Sequence, residues 1–251
     1  MIESLQGRLI FGRTTRIRPL PPGPHAAYWR EAHRLERPGG AVLEGWSALP
    51  ADGMPHGTLL YFGGRNENVT WAPDMASFNP GWAVHAFNYR GFGGSTGHAS
   101  ERRAKADAQA VLALVAARHG TGRLAIAGRS LGTAVALSLV TVARPDALVL
   151  LSPFVNVPAV LRGRRFGNVG AALVTQRFEC RALAAAHAGA TLVLLAQDDT
   201  TIAHARSHEL CAHLPRPPAL QVIAGTTHRS LPRSGGAQRA IAAFLASTAA
   251  P

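Results

Sequence analysis

Two serines in this chain, Ser95 and Ser130, lie in the pattern Gly-x-Ser-x-Gly. A nucleophilic serine in this pattern needs a strand before it and a helix directly after it, with a turn so sharp that only small residues fit on either side. Ser130 has both, because the apolar run 123–127 precedes it and the apolar stretch 131–143 follows it. Ser95 lies in a glycine-rich loop, where a serine typically bonds to turn backbone. We therefore predict Ser130 as the nucleophile and a structural role for Ser95.

A serine attacks a carbonyl efficiently only when a base accepts its proton and an acid orients that base. After this type of turn, the acid and then a histidine follow in the chain. Asp198 and Asp199 follow the apolar run that begins at Thr191, and His228 follows the run 219–224. The intervening histidines fall on a predicted helix. These residues predict a Ser-Asp-His triad of Ser130, His228 and one of the two aspartates.

The elements that must position these residues alternate between strands and helices. Several of the strands are continuous apolar runs, which is typical of parallel strands that helices cover on both faces. Ligands of such sheets bind at the carboxyl ends of the strands, where the candidate triad residues lie. The predicted strands are 33–37 and 41–46, which form a hairpin around residues 38–40, followed by 58–62, 81–88, 123–127, 147–151, 191–195 and 219–224. The predicted helices are 100–119, with Ser100 as N-cap and Gly120 at its end, 131–143, 202–213 and 238–247.

Length and composition favour one α/β domain over residues 31–251, preceded by an irregular lead-in at 1–30 that contains the proline-rich run 18–24.

The formal net charge is +12 and comes mostly from arginine. These arginines are not clustered and have no aromatic residues between them, so we predict no specific nucleic-acid partner. The two cysteines indicate free thiols in a reducing compartment. With no signal sequence or membrane span evident, we predict a cytoplasmic protein.

Four segments, in the expected order, carry a resemblance to a known family. The turn around Ser130 is one. The other three resemble the motifs L-x-G-W, Y-x-H-G-N-x-x-N and D/N-Y-R-G-x-G-x-S, and they are residues 43–46, 60–68 and 88–95. From about Leu35 to the C-terminus, the chain resembles compact bacterial α/β-hydrolases of the esterase, thioesterase or peptidase type. This resemblance implies a mostly parallel sheet of about eight strands with helices on both faces and a minimal lid.

The resemblance also assigns roles to single residues. It favours Asp199 as the acid, because residues 196–202 fit the motif G-x-x-D-x-x-V with alanine in place of glycine. An oxyanion hole of two backbone N–H groups would come from Leu131, directly after the nucleophile, and from Arg65. Gly63 departs from the family, which often has histidine at that position.

The predicted activity is hydrolysis of a carboxylic ester or thioester of a small acyl substrate, through an acyl-enzyme and without a cofactor or metal. The alternatives are a small-peptide hydrolase that uses the same triad and a catalytically silent binding protein. The segment 152–180 is too short for a cap domain, and its Arg162, Arg164 and Arg165 could favour anionic substrates. The sequence does not reveal the oligomeric state.

Overall fold

One sheet of nine strands runs through the described part of the chain, in the order β1-β2-β3-β5-β4-β6-β7-β8-β9. In this computed structural model, the described residues are 6–7, 10–12, 23–25, 28–120, 122–162 and 171–248. The strands are β1 (Gly23–His25), β2 (Tyr28–Arg37), β3 (Ala41–Pro50), β4 (Gly57–Phe62), β5 (Trp82–Phe87), β6 (Leu124–Arg129), β7 (Ala147–Leu151), β8 (Ala190–Asp198) and β9 (Ala219–Thr227).

The sheet is mostly parallel, as predicted. Strands β4 to β9 pair in parallel, whereas β1, β2 and β3 join one edge through antiparallel pairs. The predicted hairpin is therefore confirmed as β2 and β3, although both strands are longer than predicted. Parallel pairing brings the carboxyl ends of β4, β6, β8 and β9 to the same edge, where the predicted site residues follow the strands.

Helices cover both faces of the sheet. They are α1 (Glu101–His119), α2 (Leu131–Leu137), α3 (Val140–Ala143), α4 (Val157–Arg162), α5 (Arg181–Ala185), α6 (His204–Cys211) and α7 (Gly235–Ser247), with 3-10 helices at Val69–Ser77 and Leu231–Arg233. Neighbouring residues of β4 face opposite sides: Leu60 packs into the core that includes α1 and α2, and Leu59 into the core that includes α7. The continuous apolar runs thus reflect burial on both faces.

Helix α1 begins and ends where the sequence predicts. The side chain of Ser100 caps its first turn by accepting a hydrogen bond from the N–H of Arg103, and Gly120 ends it with a positive φ of 68°. The predicted helix 131–143 is instead two helices, α2 and α3. The Ser138 hydroxyl donates to the carbonyl of Val135 at 2.6 Å, a local bond that competes with a continuous helix.

The predicted irregular lead-in, residues 1–30, is wrong near its C-terminal end, where Gly23–His25 form β1 and β2 begins at Tyr28. Gly23 and Pro24 belong to β1, which pairs with β2 at the edge of the sheet, where a proline is tolerated because no neighbour needs its missing N–H. Residues 13–22 lie outside the described residues, as do residues 163–170 of the predicted minimal lid.

Cys180 and Cys211 are free thiols, as predicted. Among the described helices, none is long and apolar enough to cross a bilayer.

Candidate active site

Ser130 lies in a sharp turn between β6 and α2, at the carboxyl end of a central strand. Its φ of 51° and ψ of −118° are a conformation that non-glycine residues rarely adopt, and such strain is typical of functional sites. Two bonds hold the turn. The N–H of Ser130 donates to the carbonyl of Leu151 at 2.8 Å, and its carbonyl accepts from the Thr133 hydroxyl at 2.6 Å.

The glycines on either side of Ser130 are required by close packing. A Cβ on Gly132 would clash with the carbonyl oxygen of Phe62 and would lie 2.6 Å from that of Gly63. A Cβ on Gly128 would clash with the carbonyl of Gly132. The expectation that only small residues fit around the turn is therefore confirmed, and the loop after β4 lies directly against it.

Asp199 and His228 come together from the ends of β8 and β9. His228 Nδ1 lies 2.8 Å from Asp199 Oδ2, and the two side chains are 9% and 1% exposed. The other carboxylate oxygen, Oδ1, accepts from the backbone N–H groups of Thr201 and Ile202 at 2.9 and 2.8 Å. The carboxylate is thus fixed by its own turn, with one oxygen left for the imidazole.

The environment of Asp199 keeps it ionised. Burial raises the pKa of this carboxyl, but the hydrogen bond from His228, the backbone N–H of Ile202 and the charge of His228 outweigh burial and lower the pKa to about 2. A carboxylate that remains charged can fix which imidazole nitrogen carries the proton and can stabilise an imidazolium. Asp198, the alternative acid, is exposed at the end of β8 and pairs in register with Thr227.

His228 is also tied to the turn that carries Ser130. Arg129, the residue before Ser130, donates from Nε and Nη2 to the backbone carbonyl of His228 at 3.2 and 3.0 Å. The Arg129 side chain is 7% exposed. A buried guanidinium fork of this kind fixes both distance and orientation. The three residues that the sequence predicts as a triad therefore lie at one edge of the sheet.

The loop after β4 approaches the same turn. A Cβ on Gly64 would lie 3.3 Å from the Cβ of Ser130 and 3.1 Å from the carbonyl of Arg129. The hydroxyl of Tyr89 donates to the carbonyl of Gly63 at 2.9 Å and so holds the loop from the side of the residues that follow β5. Phe62 pairs in register with Gly128, so the start of this loop and the start of the turn are neighbours in the sheet.

Arg65 and Leu131, the predicted oxyanion donors, lie on the two sides of this contact. Leu131 is the first residue of α2, and Arg65 follows Gly64 with its side chain exposed. The N–H groups of the residues around Arg65 donate within the protein: that of Gly64 to Glu67 Oε2 at 2.7 Å, and that of Asn66 to the carbonyl of Phe11 at 3.0 Å. These bonds fix the course of the loop around Arg65.

Glu67 and Arg129 are site residues that the sequence analysis missed. Besides the N–H of Gly64, the Glu67 carboxylate accepts from the Tyr61 hydroxyl at 2.9 Å, the Trp71 indole at 3.2 Å and Arg129 Nη1 at 2.6 Å. A signal was present in the sequence for Arg129, which is the single charged residue of the otherwise apolar and small-residue segment 124–137. Glu67 lies among the polar residues Arg65, Asn66 and Asn68 and carries no such signal.

Ser95, the alternative serine, has a structural role. Its hydroxyl donates to the carbonyl of Asn88 at 3.0 Å and accepts from the N–H of Glu44 at 2.8 Å, so it ties two loops together in a buried position. Within the part of the chain that the structure describes, no group of three or more His, Cys, Asp or Glu side chains could hold a metal ion.

Comparison with protein families finds a match to the Hydrolase_4 model, described as serine aminopeptidase S33, over residues 53–180, which is about half of the chain. The match includes Ser130 but ends before Asp199 and His228. Among similar proteins, the lysophosphatidylserine lipase ABHD12 of Gallus gallus is 42% identical over 128 residues, which are 47% of this chain and 33% of that protein. The chain thus matches only about a third of the length of that lipase.

An uncharacterized protein of Mycobacterium tuberculosis is 32% identical over 166 residues, which are 63% of this chain and 57% of that protein. Similar solved structures include an esterase of Pyrococcus furiosus, with a TM-score of 0.69 and 14% identity over 92% of this chain and 98% of the esterase. A cold-adapted esterase from an Arctic intertidal metagenomic library has a TM-score of 0.65 and 19% identity over 90% of this chain and 97% of that one. At these identities, the structural likeness establishes the fold, and the predicted α/β-hydrolase fold is confirmed.

Proposed function

We propose that this chain, which belongs to the serine aminopeptidase S33 (Hydrolase_4) family of the α/β-hydrolases, is a hydrolase that cleaves carboxylic esters with Ser130 as the nucleophile. His228 is the general base and acid, and Asp199 orients it. The backbone N–H groups of Leu131 and Arg65 form the oxyanion hole. No metal or organic cofactor takes part in this proposal.

The steps follow from the chemistry of an acyl transfer. Ser130 Oγ forms a bond to the acyl carbon while His228 Nε2 takes the hydroxyl proton, and the negative charge on the carbonyl oxygen is stabilised by the two N–H groups. The intermediate then expels the alcohol, which receives the proton from His228. A water molecule attacks the acyl-enzyme in the same manner, with His228 first as base and then as acid, and releases the carboxylic acid.

The observation that carries this proposal is the hydrogen bond of 2.8 Å between His228 Nδ1 and Asp199 Oδ2. This bond leaves Nε2 of His228 as the nitrogen that is available to a serine hydroxyl. Arg129, the residue before Ser130, donates to the backbone carbonyl of His228 and so holds the histidine next to the nucleophile turn. A histidine with a buried ionised partner at the carboxyl end of a parallel sheet is the arrangement that general-base catalysis by this fold requires.

Two further substrate classes are favoured by specific observations. The family description names an aminopeptidase, which supports a small peptide as an alternative substrate. The 42% identity to a lysophosphatidylserine lipase supports a lipid ester with an anionic head group. The triad chemistry is the same for both, because ester, thioester and amide cleavage all pass through an acyl-enzyme.

Labelling with a fluorescent fluorophosphonate tests the proposal, with wild type beside Ser130→Ala and Ser95→Ala. We expect labelling to disappear in Ser130→Ala alone, since the hydroxyl of Ser95 is engaged in structural bonds. A panel of p-nitrophenyl esters, a thioester, an aminoacyl anilide and lysophosphatidylserine then identifies the substrate class. Absence of labelling in a folded wild-type protein would contradict the proposal and favour a catalytically silent binding protein.

A further inference from the structure

A buried ion pair connects the loop after β4 with the nucleophile turn. Glu67 Oε2 lies 2.6 Å from Arg129 Nη1, and the two side chains are 9% and 7% exposed. Two charges buried at this depth cost free energy unless both are bonded on all sides. Both side chains are bonded in this way. Glu67 accepts four hydrogen bonds, one of them from Arg129, and Arg129 also donates to the carbonyl of His228.

These bonds form a continuous path between the two groups that the reaction needs on either side of Ser130. The path runs from the backbone of Gly64, which lies next to the predicted oxyanion donor, through Glu67 and Arg129 to the backbone of His228. Arg129 is therefore bonded to two loops at once, and each loop carries a different part of the site.

The packing around Gly63 explains why the loop after β4 depends on the Glu67–Arg129 pair. A Cβ at that position would lie 2.6 Å from Val69 Cγ1 and 3.4 Å from Glu67 Cβ, so Val69 and Glu67 fill the space beside the glycine. A side chain at position 63, such as the histidine that is common in the family, has no room here. Glu67 thus anchors a loop that lacks that side chain.

We propose that Glu67 and Arg129 are positioning residues, which hold the oxyanion loop and His228 around Ser130 and whose opposite charges cancel beside the reacting groups. This inference rests on the proposed function. The charge of Arg129 reaches the triad, since it interacts electrostatically with Asp199 as well as with Glu67. Because the two charges are opposite and adjacent, the pair acts on the triad less strongly than either charge alone would.

The two single removals therefore have opposite electrostatic effects. Without the Glu67 charge, the Arg129 cation remains against His228 and disfavours the imidazolium. Without Arg129, the Glu67 anion remains and favours the imidazolium, while it opposes the negative charge that develops on the carbonyl oxygen. Asp199, which bonds to His228, and the exposed Arg229 that follows it are kept in every variant.

The experiment compares Glu67→Gln, Arg129→Met, the double variant and Arg129→Lys in the full chain, with p-nitrophenyl butyrate as the substrate. We expect each single neutral variant to lower kcat by about 10- to 100-fold with little change in KM, because the groups are displaced by a fraction of an ångström to an ångström. The acid-side midpoint of the kcat/KM pH profile should move to lower pH in Glu67→Gln and to higher pH in Arg129→Met.

The double variant and the lysine variant separate charge from geometry. The double variant is neutral at the site, so its pH midpoint should return to the wild-type value while kcat stays low. Arg129→Lys keeps the charge but not the fork that reaches both loops, so kcat should fall with the midpoint unchanged. Glu67→Gln and Arg129→Lys are the milder changes, and they decide the question if Arg129→Met does not fold.

Arg90→Met is the matched control, because Arg90 donates from Nε and Nη2 to the buried carboxylate of Asp107, at 2.8 Å each, away from the triad. It should lower stability and leave the pH midpoint in place. Midpoints of Glu67→Gln and Arg129→Met that stay at the wild-type value, or move together, would overturn the charge argument.

Amide hydrogen exchange provides a readout that does not depend on activity. Exchange in residues 63–68 and 226–229 should be faster in Glu67→Gln and Arg129→Met than in wild type, with exchange in α7 unchanged. Unchanged exchange in both loops would overturn the positioning role. A wild-type protein that fluorophosphonate does not label contradicts the proposed function instead, and the exchange result still decides whether the pair holds the loops.

Discussion

Asp199 uses its two carboxylate oxygens for different purposes, Oδ1 for the backbone of its own turn and Oδ2 for His228. Asp199→Asn can keep the first set of bonds but presents an amide that does not hold the imidazole in the required tautomer. We expect kcat to fall by about 10⁴-fold, as for the equivalent change in other triads, and Asp198→Asn to leave kcat close to that of wild type. Steady-state kinetics on both variants checks this, and a larger loss in Asp198→Asn would contradict the assignment of the acid.

The same carboxylate makes stability depend on pH. The pKa of Asp199 is lowered from its ordinary value of 3.8 to about 2, so the folded state binds this proton less readily than the unfolded state. The resulting stabilisation, about 2 kcal/mol, is complete above the ordinary value and is lost as the pH falls toward 2. In urea unfolding from about pH 5 to about pH 2.5, the difference in free energy of unfolding between wild type and Asp199→Asn should shrink by most of this amount. A constant difference would contradict it.

Among the elements, the turn that carries Ser130 depends most on its glycines. A Cβ on Gly132 would clash with the backbone of Phe62, which cannot move without breaking β4 from the sheet. We expect Gly132→Ala to destabilise the fold by about 3 kcal/mol or more, measured as a lower urea midpoint. Gly122→Ala is the control, because nothing lies within 4 Å of its added Cβ, and it should leave the midpoint nearly unchanged. Equal midpoints for the two variants would contradict this account.

Elements set by local patterns were predictable from the sequence. The cap residues Ser100 and Gly120 delimit α1. The apolar runs delimit the parallel strands, because a strand that is buried on both faces consists almost entirely of apolar residues. The break between α2 and α3 and the 3-10 helix Val69–Ser77 were missed, since each depends on side-chain bonds with no periodic signature. The triad candidates follow strand ends and could be found, whereas Glu67 and Arg129 are 62 positions apart and meet only through sheet topology.

Across the whole molecule, the charge is far from balanced, at +12, and lysine contributes to it only at Lys105. Many of the arginines are engaged in bonds that fix the fold: Arg129 to Glu67, and Arg37 and Arg90 to Asp107. Arg162 is exposed at the end of α4, and Arg164 and Arg165 lie outside the described residues. The excess charge nevertheless creates a positive potential around the molecule, which acts on any substrate that approaches it.

This potential predicts how salt affects the proposed hydrolysis of charged substrates. An anionic ester should be drawn toward the protein at low ionic strength, so its kcat/KM should fall severalfold between about 20 mM and about 500 mM NaCl, where the Debye length shrinks from roughly 20 Å to about 4 Å. A neutral ester of the same acyl chain and leaving group serves as the control, and its kcat/KM should change little. Stopped-flow or steady-state rates at low substrate concentration measure both. If kcat/KM falls equally for the two esters, the positive potential does not act on substrates at the site. The excess arginine would then affect the solubility of the protein or its unfolded state instead.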